Sequence, residues 1–244
     1  MAITRKAFII GAEFVDDTPR VLGVPVDKSR VYAFLRSDEG GAWRKNEIKV
    51  LENPHLVPGR GAQRHYDFQV TYFAGHGYTE DGEVMLCMND SQDVPVRSLP
   101  VLAPKSLFII DACRTVVRDL PRLIEKRADY GDIGALPELK RRLRARRLYD
   151  LGIKRAESGA AVMFASSYDE SAWGGHFQGG YFTRNLIEGA TNWGQAGLES
   201  PKLLSVAGAF QAAKSGVQYE LRHRQNPEIL TDQVIFHLPF AVRP

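Results

Sequence analysis

Two short stretches of this sequence place chemically capable side chains directly after runs of apolar residues. FQVTYFAGHG ends on His76 between two glycines, and SLFIIDACRT ends on Asp111, Cys113 and Arg114. A thiolate is a strong nucleophile, and an imidazole beside it can take the thiol proton and later protonate a leaving amine. Glycines let a backbone approach a substrate closely and leave N–H groups for an oxyanion. The two stretches predict cysteine-dependent acyl transfer if the fold brings them together.

The elements that must position these residues are short strands and amphipathic helices. Six apolar runs bounded by turn residues are typical of strands covered on both faces. These runs are 7–14, 47–51, 68–74, 83–88, 106–112 and 161–167. The predicted helices are 26–37, 182–190 and 201–216. The alternation predicts a single α/β domain over 1–244, a three-layer α/β sandwich with a mostly parallel central sheet. Ligands of such sheets bind beyond the carboxyl ends of the strands.

The composition is that of an ordinary globular chain. Of 244 residues, 44% are hydrophobic and 25% charged, and a net charge of +3 is too small to indicate nucleic acid binding by itself. No run reaches the roughly 18 apolar residues of a membrane span, so no membrane partner is expected. Glu13 interrupts the first apolar run early, which argues against a signal peptide. The two cysteines favour a reducing, cytoplasmic compartment.

One segment departs from this balance. Residues 118–157 carry twelve Lys/Arg against seven Asp/Glu, and KRRLRARR at 140–147 has six basic residues in eight. A short helix is predicted there, inside a connection that is long enough to be functional or mobile. A solvated charged face is the plain alternative. Nucleic acid binding is unfavoured, because no aromatic residue interleaves with the basic ones of 140–147.

The motifs YFAGHG and FIIDACR together resemble the caspase-like cysteine peptidases, in particular the bacterial caspase homologues and the metacaspases. VMFASSYDESAWGGHFQGGYFTRNLIEGA at 162–190 and QNPEIL at 225–230 agree with later segments of that family, so the resemblance covers nearly the whole chain. It implies a caspase-like fold and a cysteine endopeptidase acting on protein or peptide substrates. Cys113 would be the nucleophile and His76 the general acid/base. The N–H groups of Gly77 and Cys113 would form the oxyanion hole.

The resemblance also implies a preference for the residue before the cut, P1. Asp111 matches the metacaspase carboxylate of the P1 pocket, and LGVPVDKSR resembles the segment that supplies a second one, here Asp27. Two carboxylates suit a guanidinium or ammonium and would be costly beside an acidic side chain. Cleavage after Arg, and also Lys, is therefore predicted. Alternatively, Asp27 caps a helix starting near residue 28, and Asp111 is structural.

The glycine-rich stretch SAWGGHFQGG follows the last apolar run. Trp173 and His176 within it either shape the substrate cleft or belong to a flexible turn. Asp169 and Glu170 begin the same loop and are candidates to meet a basic P1 side chain. Cys87, inside a predicted strand, is expected to be a core residue.

Activation is predicted from the basic segment. In the resembled family the connection after the nucleophile strand is often cleaved, and an arginine-rich connection in an Arg-specific peptidase predicts self-cleavage. The candidate processing residues are Arg141, Arg142, Arg144, Arg146, Arg147, Lys154 and Arg155. Alternatively, another protease or a regulatory partner activates the chain. Family analogy suggests a bacterial stress, cell-death or anti-phage pathway.

No cofactor is expected. The six histidines and two cysteines show no HxxxH or CxxC spacing, so a transition-metal site is not predicted. Asp90 and Asp119 are weak calcium candidates, since carboxylate oxygens suit that ion. The stretch after Cys113 departs from the metacaspase pattern, which argues against a calcium requirement. Two rival functions remain, a catalytically silent caspase-fold interaction module and a nucleic-acid-binding protein that uses 140–147.

Overall fold

A six-stranded β-sheet forms the centre of the molecule. The structure, a computed structural model, describes residues 2–14, 20–55, 66–89, 92–115, 139–196, 202–231 and 237–244. The strands are β1 (Arg5–Ala12), β2 (Ile48–Glu52), β3 (Phe68–Gly75), β4 (Gly77–Glu80), β5 (Glu83–Asn89), β6 (Gln92–Pro95), β7 (Lys105–Asp111), β8 (Gly159–Phe164), β9 (Gly174–Gly175), β10 (Gly179–Gly180), β11 (Leu203–Ser205), β12 (Glu228–Thr231) and β13 (Pro239–Val242). The α-helices are α1 (Val24–Arg36), α2 (Leu139–Arg155), α3 (Tyr181–Gln195) and α4 (Val206–Glu220). None of the helices in these ranges is long and apolar enough to cross a membrane.

The register of the parallel strands sets the position of the candidate catalytic residues. The central sheet has the order β12-β8-β7-β3-β1-β2, and all its neighbouring pairs are parallel except β12 with β8. Ala74 of β3 lies opposite Asp111 of β7. His76 and Cys113, each two residues further along, therefore leave the sheet at the same level. This is the edge at which parallel α/β sheets bind ligands.

Alternate side chains of the central strands enter two separate apolar cores, as expected for strands covered on both faces. Ile9 and Ile109 pack in the core that the four described helices complete, whereas Phe8 and Ile110 pack against residues of β5 and β6. Burying one large apolar side chain is worth about 1.5–3 kcal/mol. The two cores confirm the predicted α/β sandwich with a mostly parallel sheet.

Two predicted elements are placed differently. The apolar run at 83–88 is a strand, but it belongs to the antiparallel sheet β4-β5-β6 rather than to the parallel one. The helix expected over 201–216 begins later, after the short strand β11 that pairs with β13. The Ser205 hydroxyl caps this helix by accepting from the Gly208 N–H at 3.1 Å. A local cap, rather than Pro201, thus sets its start.

Helix α2 makes part of the basic segment a packed element. Its Tyr149 ring is buried against the Trp43 ring, with centroids 6.1 Å apart. Arg142 donates to the carbonyl oxygens of Arg36 and Trp43 at 2.8 and 3.2 Å. These carbonyls lie at the end of α1 and just beyond it, so α2 is tied to the first helix.

Carboxylates take up further charges of the same helix. Arg141 donates to Glu39 at 2.9 Å, and the guanidinium of Arg146 pairs with Glu47 where both side chains are mostly buried. Arg144, on the outer side, is exposed. The expectation of a solvated charged face is therefore wrong for Arg142 and Arg146, hereafter the inner arginines, whose side chains are partly buried. Fewer charges of 140–147 remain available to a nucleic acid than the sequence suggests.

The candidate processing residues at Arg141, Arg142, Arg144, Arg146, Arg147, Lys154 and Arg155 all lie within α2. An added-strand mode of peptide binding requires an extended backbone. A cut at any of these positions therefore requires local unwinding of the helix. Residues 116–138, the earlier part of the connection, lie outside the described residues.

Replacing Arg146 tests the packing of α2. We expect Arg146→Ala to destabilise the protein by about 1–3 kcal/mol, because Glu47 is left mostly buried without its cation. Arg144→Ala, the matched control on the exposed side of the same helix, should stay within about 0.5 kcal/mol of the wild type. Thermal unfolding followed by circular dichroism measures both. Equal effects would mean that α2 is not held as described.

Candidate active site

The candidate nucleophile lies two residues beyond the end of β7. The Cys113 Sγ is 3.3 Å from the Ala172 nitrogen, which donates to it, and 3.7 Å from the Ala172 carbonyl oxygen. Burial raises the pKa of the Cys113 thiol, the Ala172 N–H lowers it, and the nearby Asp111 carboxylate raises it further. The resting side chain is therefore a thiol, which needs a base before it can attack.

The candidate base, His76, lies between β3 and β4, and the residue after it packs closely against the segment that carries Cys113. A Cβ on Gly77 would lie 2.9 Å from the Ala112 Cβ and 3.0 Å from the Cys113 carbonyl oxygen, so only glycine fits there. The Thr79 hydroxyl also donates to the Arg114 carbonyl oxygen at 2.8 Å. The chain after the histidine thus packs along the chain after the cysteine. The predicted oxyanion-hole residues, Gly77 and Cys113, are in direct contact.

The guanidinium of Arg114, the residue after Cys113, is bonded inside the protein. Its side chain is buried, donates to the Ser166 carbonyl oxygen at 3.0 Å, pairs with Glu228 of β12 and lies 4.4 Å from the centroid of the Phe164 ring. Its N–H donates to the Glu170 carbonyl oxygen at 2.9 Å. This residue anchors the nucleophile loop to β8 and β12. Its role was not predicted, since its partners lie 52 and 114 residues away.

The loop after β8 contacts Cys113 through Ala172. Trp173 directly follows Ala172, the residue bonded to the thiol, and its side chain is about half exposed. Its backbone N–H donates to the side-chain oxygen of Gln225 at 2.8 Å. This placement favours the cleft-shaping alternative for Trp173. The Glu170 carboxylate accepts from the Asn226 side chain at 2.6 Å and so holds the loop in place. The sequence makes Glu170 a candidate to meet a basic P1 side chain, but this bond ties it to Asn226 instead. Asp169 has a left-handed φ of 58° and marks a turn.

Asp27 and Asp111 come together in the fold, although 84 residues separate them in sequence, and are hereafter called the acid pair. The Asp111 Oδ2 accepts from the Thr183 N–H at 3.2 Å and from its hydroxyl at 2.5 Å. The Asp27 Oδ2 accepts from the Gly180 N–H at 2.7 Å, and its Oδ1 accepts from Arg30 at 3.1 Å. Asp27 lies in the first turn of α1, whose N-cap is Gly23. The helix-capping alternative is therefore wrong.

Burial and mutual repulsion set the charge state of the acid pair. Asp27 is 3% exposed and Asp111 8%. Desolvation and the neighbouring Asp111 raise the pKa of Asp27 well above its usual value, against the lowering effects of the Gly180 N–H and Arg30. Desolvation also raises the pKa of Asp111, while the bonds from Thr183 lower it. A second cation at this place would relieve both groups.

A short hairpin of residues 174–180, formed by β9 and β10, covers the acid pair; we call it the covering hairpin. A Cβ on Gly180 would lie 2.3 Å from the Asp111 Oδ2, and one on Gly179 would lie 2.0 Å from the Asp27 Oδ1. Gly179 also has a φ of +69°. These glycines let the backbone lie directly on two carboxylates. His176 is partly buried, and its ring lies against that of Phe177 with the centroids 4.3 Å apart.

The other candidates do not join this site. Cys87 is buried, as expected, and burial together with Asp93 raises its pKa to about 12. The calcium candidates Asp90 and Asp119 lie outside the described residues. Within the part of the chain that the structure describes, no group of three or more His, Cys, Asp or Glu residues is arranged to hold a metal ion.

Comparisons with known proteins agree with this geometry. A family model described as the caspase domain matches residues 4–235. The chain belongs to the caspase domain family. It is similar to the crystal structure of caspase-1 from Spodoptera frugiperda, with a TM-score of 0.56 and 16% sequence identity, over 94% of this chain and 88% of that one. This likeness confirms the caspase fold. No curated protein matched the sequence. The caspase domain family is one of cysteine peptidases, some members of which are inactive.

The pH dependence of thiol alkylation tests the environment of Cys113. Because its pKa is raised above the usual value of about 8.5, labelling by iodoacetamide should be slow at pH 7 and reach its midpoint at a higher pH than that of an ordinary cysteine. Asp111→Asn should move the midpoint to lower pH, since it removes a negative charge next to the thiol.

Mass spectrometry across a pH series measures this labelling. Cys113→Ala is the control, because the remaining thiol, Cys87, should stay unlabelled over the same range. A wild-type midpoint below about pH 8 would contradict a raised thiol pKa and indicate a resting thiolate.

Proposed function

We propose that this caspase-family chain is a cysteine endopeptidase that cleaves after Arg, and less readily after Lys, with Cys113 and His76 as its catalytic residues. The observation that carries the proposal is the buried acid pair, whose Asp111 stands two residues before the thiol at the end of the same strand. A nucleophile and a cation-binding group on one strand end specify both a reaction and a substrate.

The proposed reaction has two halves. His76 takes the Cys113 thiol proton as Sγ attacks the P1 carbonyl carbon, and the N–H groups of Gly77 and Cys113 bind the oxygen that gains the electron pair. The C–N bond then breaks, His76 protonates the leaving amine, and a thioester remains. Water, deprotonated by His76, attacks the thioester carbon. The C–S bond breaks, and the thiol recovers its proton as the acid product leaves. These groups supply every proton transfer, so no cofactor is needed.

The preference for basic residues follows from charge. Asp111 receives its hydrogen bonds from Thr183, which is neutral, so a substrate cation would supply positive charge where two carboxylates meet. A guanidinium has five donors in a planar fork and matches carboxylates better than an ammonium does, which favours Arg over Lys. An acidic P1 side chain would add a third buried negative charge and be rejected.

Activation by cleavage is proposed for the connection that precedes α2. Arg141, Arg142 and Arg146 are bonded to Glu39, to the end of α1 and to Glu47, so a cut within the helix would have to break these contacts. Arg118, Arg122, Lys126 and Arg127 supply basic P1 residues in that earlier part of the sequence. Self-cleavage, or cleavage by an activating protease, fits this placement.

A peptide assay tests the proposal. Peptides that differ only at P1 should be cleaved in the order Arg, Lys, then Asp, with Asp not measurably cleaved. Cys113→Ala should abolish cleavage. Asp111→Asn should lower kcat/KM for P1 Arg by about 30-fold or more, because a buried charge pair with the substrate is lost. Asp81→Asn, in an exposed turn, is the matched control.

The assay is repeated after limited trypsin treatment, with the trypsin fully inhibited before substrate is added. Activity that appears only after this nicking would assign the basic connection as the activation switch. Cleavage after Asp alone would refute the acid-pair argument. No cleavage in either state would favour the silent interaction module.

A further inference from the structure

Arg30 of α1, whose side chain is mostly buried, links the acid pair to the covering hairpin. Arg30 lies one turn after Asp27, and its side chain is 19% exposed. Its Nη1 donates to the Asp27 Oδ1 at 3.1 Å and to the Gln178 carbonyl oxygen at 2.9 Å. One guanidinium therefore holds both a carboxylate of the acid pair and the backbone that covers it.

Two further contacts hold the covering hairpin over the acid pair. Gly180 donates its N–H to the second oxygen of Asp27 at 2.7 Å, so the hairpin is attached to that carboxylate from both sides. The hairpin also rests on the start of α1, where a Cβ on Gly23 would lie 3.1 Å from the Gly179 Cα. With these contacts in place the acid pair is almost inaccessible to solvent. A P1 side chain can reach it only if the hairpin moves.

An alternative carboxylate lies within reach of Arg30. Its Nη2 is 3.8 Å from the Glu188 Oε1 on α3, and the Glu188 side chain is 58% exposed. A guanidinium that leaves Asp27 therefore keeps an anionic partner at the surface. The cost of releasing it is smaller than the cost of leaving a cation unpaired.

We propose that Arg30 is an internal competitor for the P1 guanidinium and thereby a specificity-determining residue, an inference that rests on the proposed function. In the resting protein it occupies Asp27 and fastens the covering hairpin through Gln178. An incoming P1 cation replaces it on Asp27, Arg30 moves to Glu188, and the hairpin is released. A neutral or acidic P1 side chain cannot make this exchange, because it offers no positive charge to the carboxylate that Arg30 would leave. Selection for a cation thus occurs at opening as well as in the pocket.

Two variants test the exchange by steady-state kinetics with a P1 Arg peptide. Arg30→Met keeps the aliphatic length without the charge and should lower KM about threefold with kcat maintained, since a competitor is gone. Glu188→Gln removes the alternative partner at an exposed position and should raise KM. Arg222→Met, at an exposed arginine elsewhere, is the matched control.

Hydrogen exchange tests the hairpin without any need for catalysis. In a Cys113→Ala background, Arg30→Met should speed exchange of the amides at 174–180 about tenfold. N-acetyl-arginine amide should speed the same exchange in the Cys113→Ala protein that keeps Arg30. Unchanged exchange together with a raised KM would overturn the proposal and leave Arg30 as a support for Asp27. If the wild type cleaves no basic substrate, the proposed function fails, and exchange alone decides whether Arg30 holds the hairpin.

Discussion

The parallel register of β3 and β7 is the constraint on which the candidate site depends. Ala74 opposite Asp111 fixes the level at which the two strands leave the sheet, and the candidate catalytic residues follow within two residues of that pair. A shift by one residue would turn alternate side chains into the wrong core, so packing on both faces holds the register. Gly77 then allows the two exit segments to touch. The position of the candidate catalytic residues is thus a consequence of core packing.

The acid pair lowers the stability of the fold, because its two carboxyl groups are desolvated and lie close to each other. Two buried carboxylates with raised pKa values bind protons more tightly when folded than when unfolded, so their contribution to stability falls as the pH rises above about 4. Thr183, the Gly180 N–H and Arg30 reduce the cost without removing it. A stability optimum would replace one carboxylate. The proposed P1 pocket accounts for this cost, because a substrate cation would offset both carboxylates.

Much of this arrangement is visible in the sequence because it is local. The strands at 68–74 and 106–112 are mostly apolar, and the residues after them are polar or small, so both the sheet and the edge that carries the candidate site could be predicted. The acid pair was accessible through a family resemblance, since no local pattern joins Asp27 to Asp111. The sequence did not predict the contacts of Arg30, Arg114 and the inner arginines of α2, because a charged residue considered alone is most often solvated. Their partners lie far along the chain, and only tertiary packing brings the carbonyl oxygens and carboxylates to them.

We propose that the Cys113 thiol reacts in a pocket that selects a positively charged P1 side chain. This is tested most directly by mass spectrometry of the activated protein after incubation with peptidyl chloromethyl ketones that differ only at P1. A single adduct is expected, on Cys113, with the arginyl reagent and none with the aspartyl reagent under the same conditions. Equal labelling by both reagents, or an adduct on another residue, would contradict it.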